Sequence, residues 1–270
     1  MPELPEVETT RRGIEPHILN QGVTEVMVRN AQLRWPVPES IRSIVGDHIA
    51  AVNRRGKYLL LEMTQGTVMM HLGMSGSLRV CAKEEPYRKH DHFICCFETG
   101  TSLRFHDPRR FGAILWTAEE PYEHPLLAEL GPEPLSSKFN AEYLYRVTRN
   151  RRIPIKSFIM NSHVVVGVGN IYANEALFMA SIRPGRAAGR LTKAESEQFV
   201  GAIKRVLKKA IQEGGTTLRD FLNAEGNPGY FVQSLQVYGR DGAPCQQCHR
   251  PIKRKVIAQR ASYYCPACQT

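Results

Sequence analysis

Tyr58-Leu59-Leu60-Leu61-Glu62-Met63-Thr64-Gln65-Gly66-Thr67-Val68-Met69-Met70-His71-Leu72-Gly73-Met74-Ser75-Gly76 is the stretch on which the fold turns. Two short apolar runs, Tyr58–Met63 and Val68–Leu72, are separated by Gln65-Gly66 and closed by Gly73-Met74-Ser75-Gly76. Runs this short, bounded by glycine, predict strands rather than helices. The pattern spreads outward to Val23–Val28, Phe93–Phe97, Ser102–Phe105 and Ala113–Trp116, with a further turn at Thr99-Gly100. The expectation is a β-sandwich of about 110 residues, an ordinary size for such a domain.

The flanks read differently. Residues 3–19 carry Leu4, Val7, Ile14 and Ile18 at helical spacing, so an amphipathic helix precedes the strands. After Gly131-Pro132-Glu133-Pro134 the pattern turns helical over Phe139–Thr148, Ile155–Met160, Asn170–Ala180 and Thr192–Glu213. Thr192 and Glu195 make a capping box, and Gly214-Gly215 stops the last helix. Residues 216–235 have no period and read as a loop. The segment 236–270 is too short for a core of its own and reads as a metal-held hairpin. The class is α+β and multidomain, with boundaries expected at 1–131, 132–235 and 236–270.

Composition narrows the function. The chain has 270 residues, 42% of them hydrophobic, and a formal net charge of +10. No run approaches the ~18 apolar residues of a membrane span. The start is acidic and proline-rich rather than basic and then apolar, so a cytoplasmic protein is expected. From Arg240 onward six basic residues face Asp241 alone, which is half the net charge. A second basic cluster holds Arg146, Arg149, Arg151, Arg152 and Lys156. Charge concentrated this way points to a phosphate polyanion.

The seven cysteines form two sets. Cys81, Cys95 and Cys96 lie in strand-like surroundings and read as inert buried thiols. Cys245, Cys248, Cys265 and Cys268 have the spacing C-x2-C-x16-C-x2-C. In a cytosolic chain that reads as one tetrahedral structural zinc, with no open position for catalysis. His249 is not needed as a ligand. His90 and His92 have no further ligand cluster near them, so no second metal is expected.

The terminus carries a different chemistry. If Met1 is removed, Pro2 presents a secondary amine, part of which is neutral at pH 7. Such an amine attacking a sugar aldehyde carbon must remain an iminium, an electron sink for later C–O cleavage. Glu3 beside it could move protons. Residue type alone favours the plainer reading, that Pro2 and Pro5 merely start a helix. Residue type alone likewise leaves Lys57 as a surface lysine at a strand end, Phe111 as core and Glu175 as a solvated helix residue. Met74 between two glycines is expected to expose its tip. Val166-Gly167-Val168-Gly169-Asn170 lacks the third glycine of a dinucleotide loop. It reads as a tight turn capped by Asn170 at a helix start, a place for a phosphate.

The opening MPELPEVE, the Arg55-Gly56-Lys57-Tyr58 segment, Asp107-Pro108-Arg109-Arg110-Phe111-Gly112 and the cysteine pattern resemble the bacterial formamidopyrimidine-DNA glycosylases. Those are base-excision repair enzymes that remove oxidised purines and then act as lyases on the abasic strand. The resemblance runs over nearly the whole chain. It implies Pro2 as nucleophile, Glu3 as its acid/base partner, Lys57 as proton donor and Arg260 as the hairpin-tip arginine that assists the second elimination. It implies Glu6 and Glu175 as supports of the active site. Met74, Arg109 and Phe111 would fill the gap left by an everted nucleotide. His71, His90, Arg151, Lys156 and Asn170 would contact DNA. It also implies a helix–two-turns–helix motif, a loop over 216–230 that covers the everted base, and a monomer acting on damaged double-stranded DNA. An endonuclease VIII-like enzyme for oxidised pyrimidines shares the Pro2-Glu3 chemistry. A non-catalytic zinc-finger DNA-binding protein would explain the charge and the cysteines alone.

Overall fold

A computed structural model of the chain describes residues 2–216 and 234–270. Apart from Thr216, the base-covering loop expected over 216–230 lies outside the described residues. The described residues form two compact units: 2–129 with 213–216, and 130–212 with 234–270. The α+β class expected from the sequence is the one observed.

In the first unit, helix α1 (Leu4–Ile18) is followed by eight strands. These are β1 (Val23–Val28), β2 (Ala51–Arg55), β3 (Tyr58–Glu62), β4 (Thr67–His71), β5 (Ser77–Ala82), β6 (Asp91–Phe97), β7 (Thr101–His106) and β8 (Ala113–Thr117). They make two antiparallel sheets, ordered β1-β6-β7-β5 and β2-β3-β4-β8. Alternate residues of β3 and β4, Leu59, Leu61, Val68 and Met70, meet Phe93, Cys95, Leu103 and Phe105 of the other sheet in one core. Val7, Ile14 and Ile18 of α1 join it. Each such side chain contributes about 1.5–3 kcal/mol relative to exposure. A short helix, α2 (Pro125–Ala128), ends the unit's first segment.

The sequence pattern missed β2 (Ala51–Arg55) and β5 (Ser77–Ala82), whose apolar residues are too few and too interrupted by polar ones to form a run. Both are edge strands, with burial patterns mixed enough to hide the period. The same position corrects the reading of Cys81. It sits on β5 and is only partly covered, whereas Cys95 and Cys96 are buried as expected. Burial pushes the Cys95 thiol up, so it is not a nucleophile at neutral pH.

The second unit holds α3 (Ala141–Thr148), α4 (Ile155–Ile159), α5 (Asn170–Met179), α6 (Lys193–Gln212), β9 (Lys253–Ile257) and β10 (Arg260–Tyr264). The capping box of α6 forms as expected: Thr192 N–H donates to Glu195 Oε2 at 2.8 Å and Glu195 N–H to Thr192 Oγ1 at 3.2 Å. Helix α5 begins differently. Its cap is Gly169, not Asn170, which is already helical. Gly167 at φ +81° lets the chain turn between α4 and α5, giving the helix–two-turns–helix shape. Strands β9 and β10 pair as a hairpin whose tip is Ala258-Gln259.

Candidate active site and nucleic-acid surface

The terminus is held by one carboxylate. Glu6 Oε2 accepts from the Glu3 N–H at 2.8 Å, and Oε1 accepts from the Thr216 N–H at 2.7 Å. Glu6 is 2% exposed. Gly215 permits this approach: its φ is +85°, and a Cβ there would stand 3.0 Å from Glu6 Oε1. A carboxylate in the first turn is also favoured by the helix dipole. Glu6 thus ties the backbone of Glu3 to the residues just after Gly214-Gly215. Pro2 and Glu3 themselves are buried.

A second chain of contacts leads from α1 to Lys57. Glu8 Oε2 accepts from Arg54 Nε at 3.0 Å, and Arg54 Nη1 donates to Gly56 O at 2.9 Å. Burial opposes ionisation of Glu8, but hydrogen bonds from Arg11, Arg12 and Arg54 outweigh it and hold its carboxyl below the usual range. Gly56 and Lys57 form the two-residue connection between β2 and β3, with Gly56 at φ +59°. Lys57 therefore precedes its strand, on a turn fixed from beneath by Arg54. Across the sheet, His71 pairs with Tyr58. Burial first, then the positive charges of Lys57 and Arg34, lower His71 to about 4. It is a neutral imidazole at pH 7, and its Nδ1 accepts from the Gly73 N–H at 2.9 Å. Any phosphate contact it makes is a hydrogen bond from Nε2, not an ion pair.

Beyond Gly73 the chain presents Met74, which is 36% exposed, and the facing loop presents Phe111 at 46%. Arg109 lies over the Phe111 ring, 5.0 Å from its centroid. The turns touch through their backbones: a Cβ on Gly73 would stand 2.4 Å from Gly112 N and Phe111 C. Phe111 is not core, so that alternative falls. His90 stacks edge-on between His92 and His106, at centroid distances of 6.0 and 5.8 Å.

In the second unit Lys156 is 1% exposed. Its ammonium donates to Ala261 O at 2.8 Å and Ser262 Oγ at 2.7 Å, both on β10. Arg260 is exposed beside it, and the two side chains line one hollow of about 210 Å³ with Asn161 and Ala258. Asn170 opens α5, and its buried Oδ1 has no hydrogen-bond partner among the described residues. Glu175 is not solvated. It accepts from the N–H groups of Gln236, Val237 and Tyr238 at 2.8, 3.0 and 2.8 Å. Burial still raises its carboxyl above the usual range against those bonds. Arg151, Arg152 and Arg190 line a second hollow of about 720 Å³, in which no acidic residue takes part among the described residues.

The four cysteine sulfurs lie within 4.8 Å of one another, with Cys245–Cys268 at 3.9 Å and Cys248–Cys265 at 3.4 Å. A tetrahedron with Zn–S of ~2.3 Å has S···S edges of about 3.8 Å, so four thiolates at this spacing fit a structural zinc. Phe178 of α5, with Val237 and Ile252, packs against the cysteines.

Sequence reading did not single out Ser75, Asp107, Arg54 or Asn174. Asn174 Oδ1 accepts from the Tyr263 N–H at 2.8 Å and so ties α5 to β10. Only Asp107 had a local signal: an aspartate opening a turn accepts from the N–H two residues on, here that of Arg109.

A helix-capped sandwich, a helix–two-turns–helix unit and a thiolate-held hairpin define a multidomain zinc-finger protein of the nucleic-acid-processing class. Family models described as the formamidopyrimidine-DNA glycosylase N-terminal domain, the H2TH domain of the same enzymes and the zinc finger found in FPG and IleRS match residues 1–114, 130–222 and 242–270. The formamidopyrimidine-DNA glycosylases of Thioalkalivibrio sulfidiphilus and Methylococcus capsulatus are 60% and 56% identical, each over 100% of both chains. The MutM (Fpg) crystal structure from Thermus thermophilus matches with a TM-score of 0.89 at 39% identity, over 99% of this chain and 98% of that one. Two Lactococcus lactis Fpg complexes match at 31% identity over 100% of both chains. One holds DNA containing Fapy-dG (TM-score 0.92), the other DNA containing an oxidised pyrimidine (TM-score 0.91). The chain belongs to the formamidopyrimidine-DNA glycosylase family, which comprises base-excision repair glycosylases with abasic-site lyase activity.

Proposed function

We propose that this chain excises 8-oxoguanine and formamidopyrimidines from duplex DNA through Pro2 and then cleaves the abasic strand. The observation that carries the reading is the Glu6 clamp, which fixes the backbone of Glu3, the residue after Pro2, at the N-cap of α1. Once Met1 is removed, the Pro2 nitrogen attacks C1′ of the deoxyribose. The C1′–N9 bond breaks and the base leaves with a proton. Glu3 protonates the ring oxygen as the sugar opens, leaving an iminium on Pro2. Loss of a C2′ proton expels the 3′ phosphate, and a second elimination expels the 5′ phosphate. Water then releases Pro2. Lys57 supplies a proton and, with Arg260, stabilises the departing phosphates. His71, His90, Arg151, Lys156 and Asn170 serve the DNA contact.

The work divides among a catalytic domain at 1–131, a helical domain at 132–235 and the zinc hairpin at 236–270. The protein acts as a cytoplasmic monomer on the nucleoid. A second reading, an enzyme that also takes oxidised pyrimidines, draws support from the Lactococcus lactis complex with such a lesion.

Borohydride reduction tests the proposal. Lesion duplex should yield a covalent protein–DNA adduct, and Pro2→Gly should reduce it at least a hundredfold. Full trapping by that variant would overturn the assignment of Pro2. Excision from matched duplexes bearing 8-oxoguanine or thymine glycol separates the two readings.

A further inference from the structure

Met74, Arg109 and Phe111 come from two separate turns, and those turns are bolted together by residues with no assigned role. Asp107 is fully buried. Its Oδ1 accepts from Ser75 Oγ at 2.8 Å and from the Arg109 N–H at 3.3 Å, and its Oδ2 accepts from the Gly112 N–H at 2.8 Å. Its carbonyl accepts from His92 Nε2 at 2.9 Å, and its own N–H donates to His90 O at 3.0 Å. One carboxylate therefore closes the turn that carries Arg109 and Phe111 and grips the turn that carries Met74. Glycine at 73 and 112 lets the backbones meet, since a Cβ at Gly112 would strike Phe105 Cζ at 2.4 Å and Asp107 Oδ2 at 3.1 Å.

We propose that Ser75 and Asp107 are positioning residues. They hold Met74, Arg109 and Phe111 as one rigid wedge and so set selectivity for the base opposite the lesion. This inference rests on the functional reading above. Two exposed apolar side chains on independent turns would lose conformational freedom on entering the duplex. A preorganised wedge has lost it already. Arg109, stacked on Phe111, reads the orphaned base by directional hydrogen bonds, which a displacement of about 1 Å abolishes. A carboxylate is the fitting hub because its two oxygens accept several N–H and O–H donors at once, which a neutral amide cannot.

The test uses Ser75→Ala and, as the stronger perturbation, Asp107→Asn. Three quantities are measured: excision of 8-oxoguanine opposite cytosine and opposite adenine, cleavage of a preformed abasic site, and the Met74 methyl resonance of the free protein. In Ser75→Ala the cytosine-over-adenine ratio should fall about tenfold, the size expected for one lost charge-assisted hydrogen bond. Excision should fall further than abasic cleavage, and the Met74 methyl should shift and sharpen. An unmoved methyl, an unchanged ratio, or equal losses of all activities in step with thermal stability would each overturn the proposal. Should the wild-type chain process neither duplex, the functional reading falls and the selectivity role with it. The methyl resonance in the same variants still decides whether the bolt exists.

Discussion

His71 illustrates how packing changes the chemistry of a single side chain. Its type suggests a titrating cation near phosphate, yet burial and two neighbouring cations keep it neutral down to about pH 4. Between the ordinary histidine value and about 4, the unfolded chain takes up a proton that the folded chain refuses. Acidification through that window therefore costs stability, up to about 3 kcal/mol in all. NMR titration of the His71 ring should show no inflection above pH 5, and His71→Gln should flatten the fall of stability between pH 6.5 and 4. A ring that titrates near its ordinary value would contradict the geometry at Gly73. Nothing in the sequence foretold this, because Arg34 reaches His71 only through the fold.

Among the elements, the β9–β10 hairpin depends on supports from outside itself. Its tip, Ala258-Gln259, takes positive φ at both residues, +45° and +59°, without a glycine to ease it. Lys156 of α4 and Asn174 of α5 brace β10 from the helical side. A buried ammonium with hydroxyl and carbonyl partners is a strut first, whatever DNA contact it also makes. Lys156→Met keeps the length and loses the bonds. It should destabilise the second unit by about 1–3 kcal/mol, the cost of leaving buried acceptors unpaired. It should also lower abasic-strand cleavage, the step proposed for Arg260, while zinc content stays at one per chain. Unchanged stability and cleavage would show that the hairpin stands without the strut.

For the protein in its entirety, charge sets how DNA is held. The net +10 comes largely from residues outside the sandwich, and Arg151, Arg152 and Arg190 share one hollow. Each phosphate neutralised releases counterions, so affinity falls with salt at a slope of about −0.9 per contact. Arg190→Ala should weaken binding to lesion and undamaged duplex alike and reduce that slope by about one. Loss of lesion preference in this variant would assign Arg190 a recognition role instead. The charge pattern was visible in the chain, since runs such as Lys253-Arg254-Lys255 are local. That Arg190 joins Arg151 was not, because the two are brought together by the turn at Ala187–Gly189, whose Gly189 N–H donates to Arg151 O.

The linear order of residues was enough for whatever depends on near neighbours. Strand and helix periods, the glycine turns, the capping box at Thr192 and the paired C-x2-C knuckles act over a few residues, so their signals survive in one dimension. The resemblance carried by MPELPEVE and the later motifs supplied the rest of the family reading. Folding alone decided what depends on partners far apart in the chain: the neutral state of His71, the Glu6 clamp onto Thr216, the Lys156 strut and the Ser75–Asp107 bolt. Hydrogen bonds and desolvation act over a few ångströms of space. A sequence lists neighbours along the backbone and says nothing of those across it.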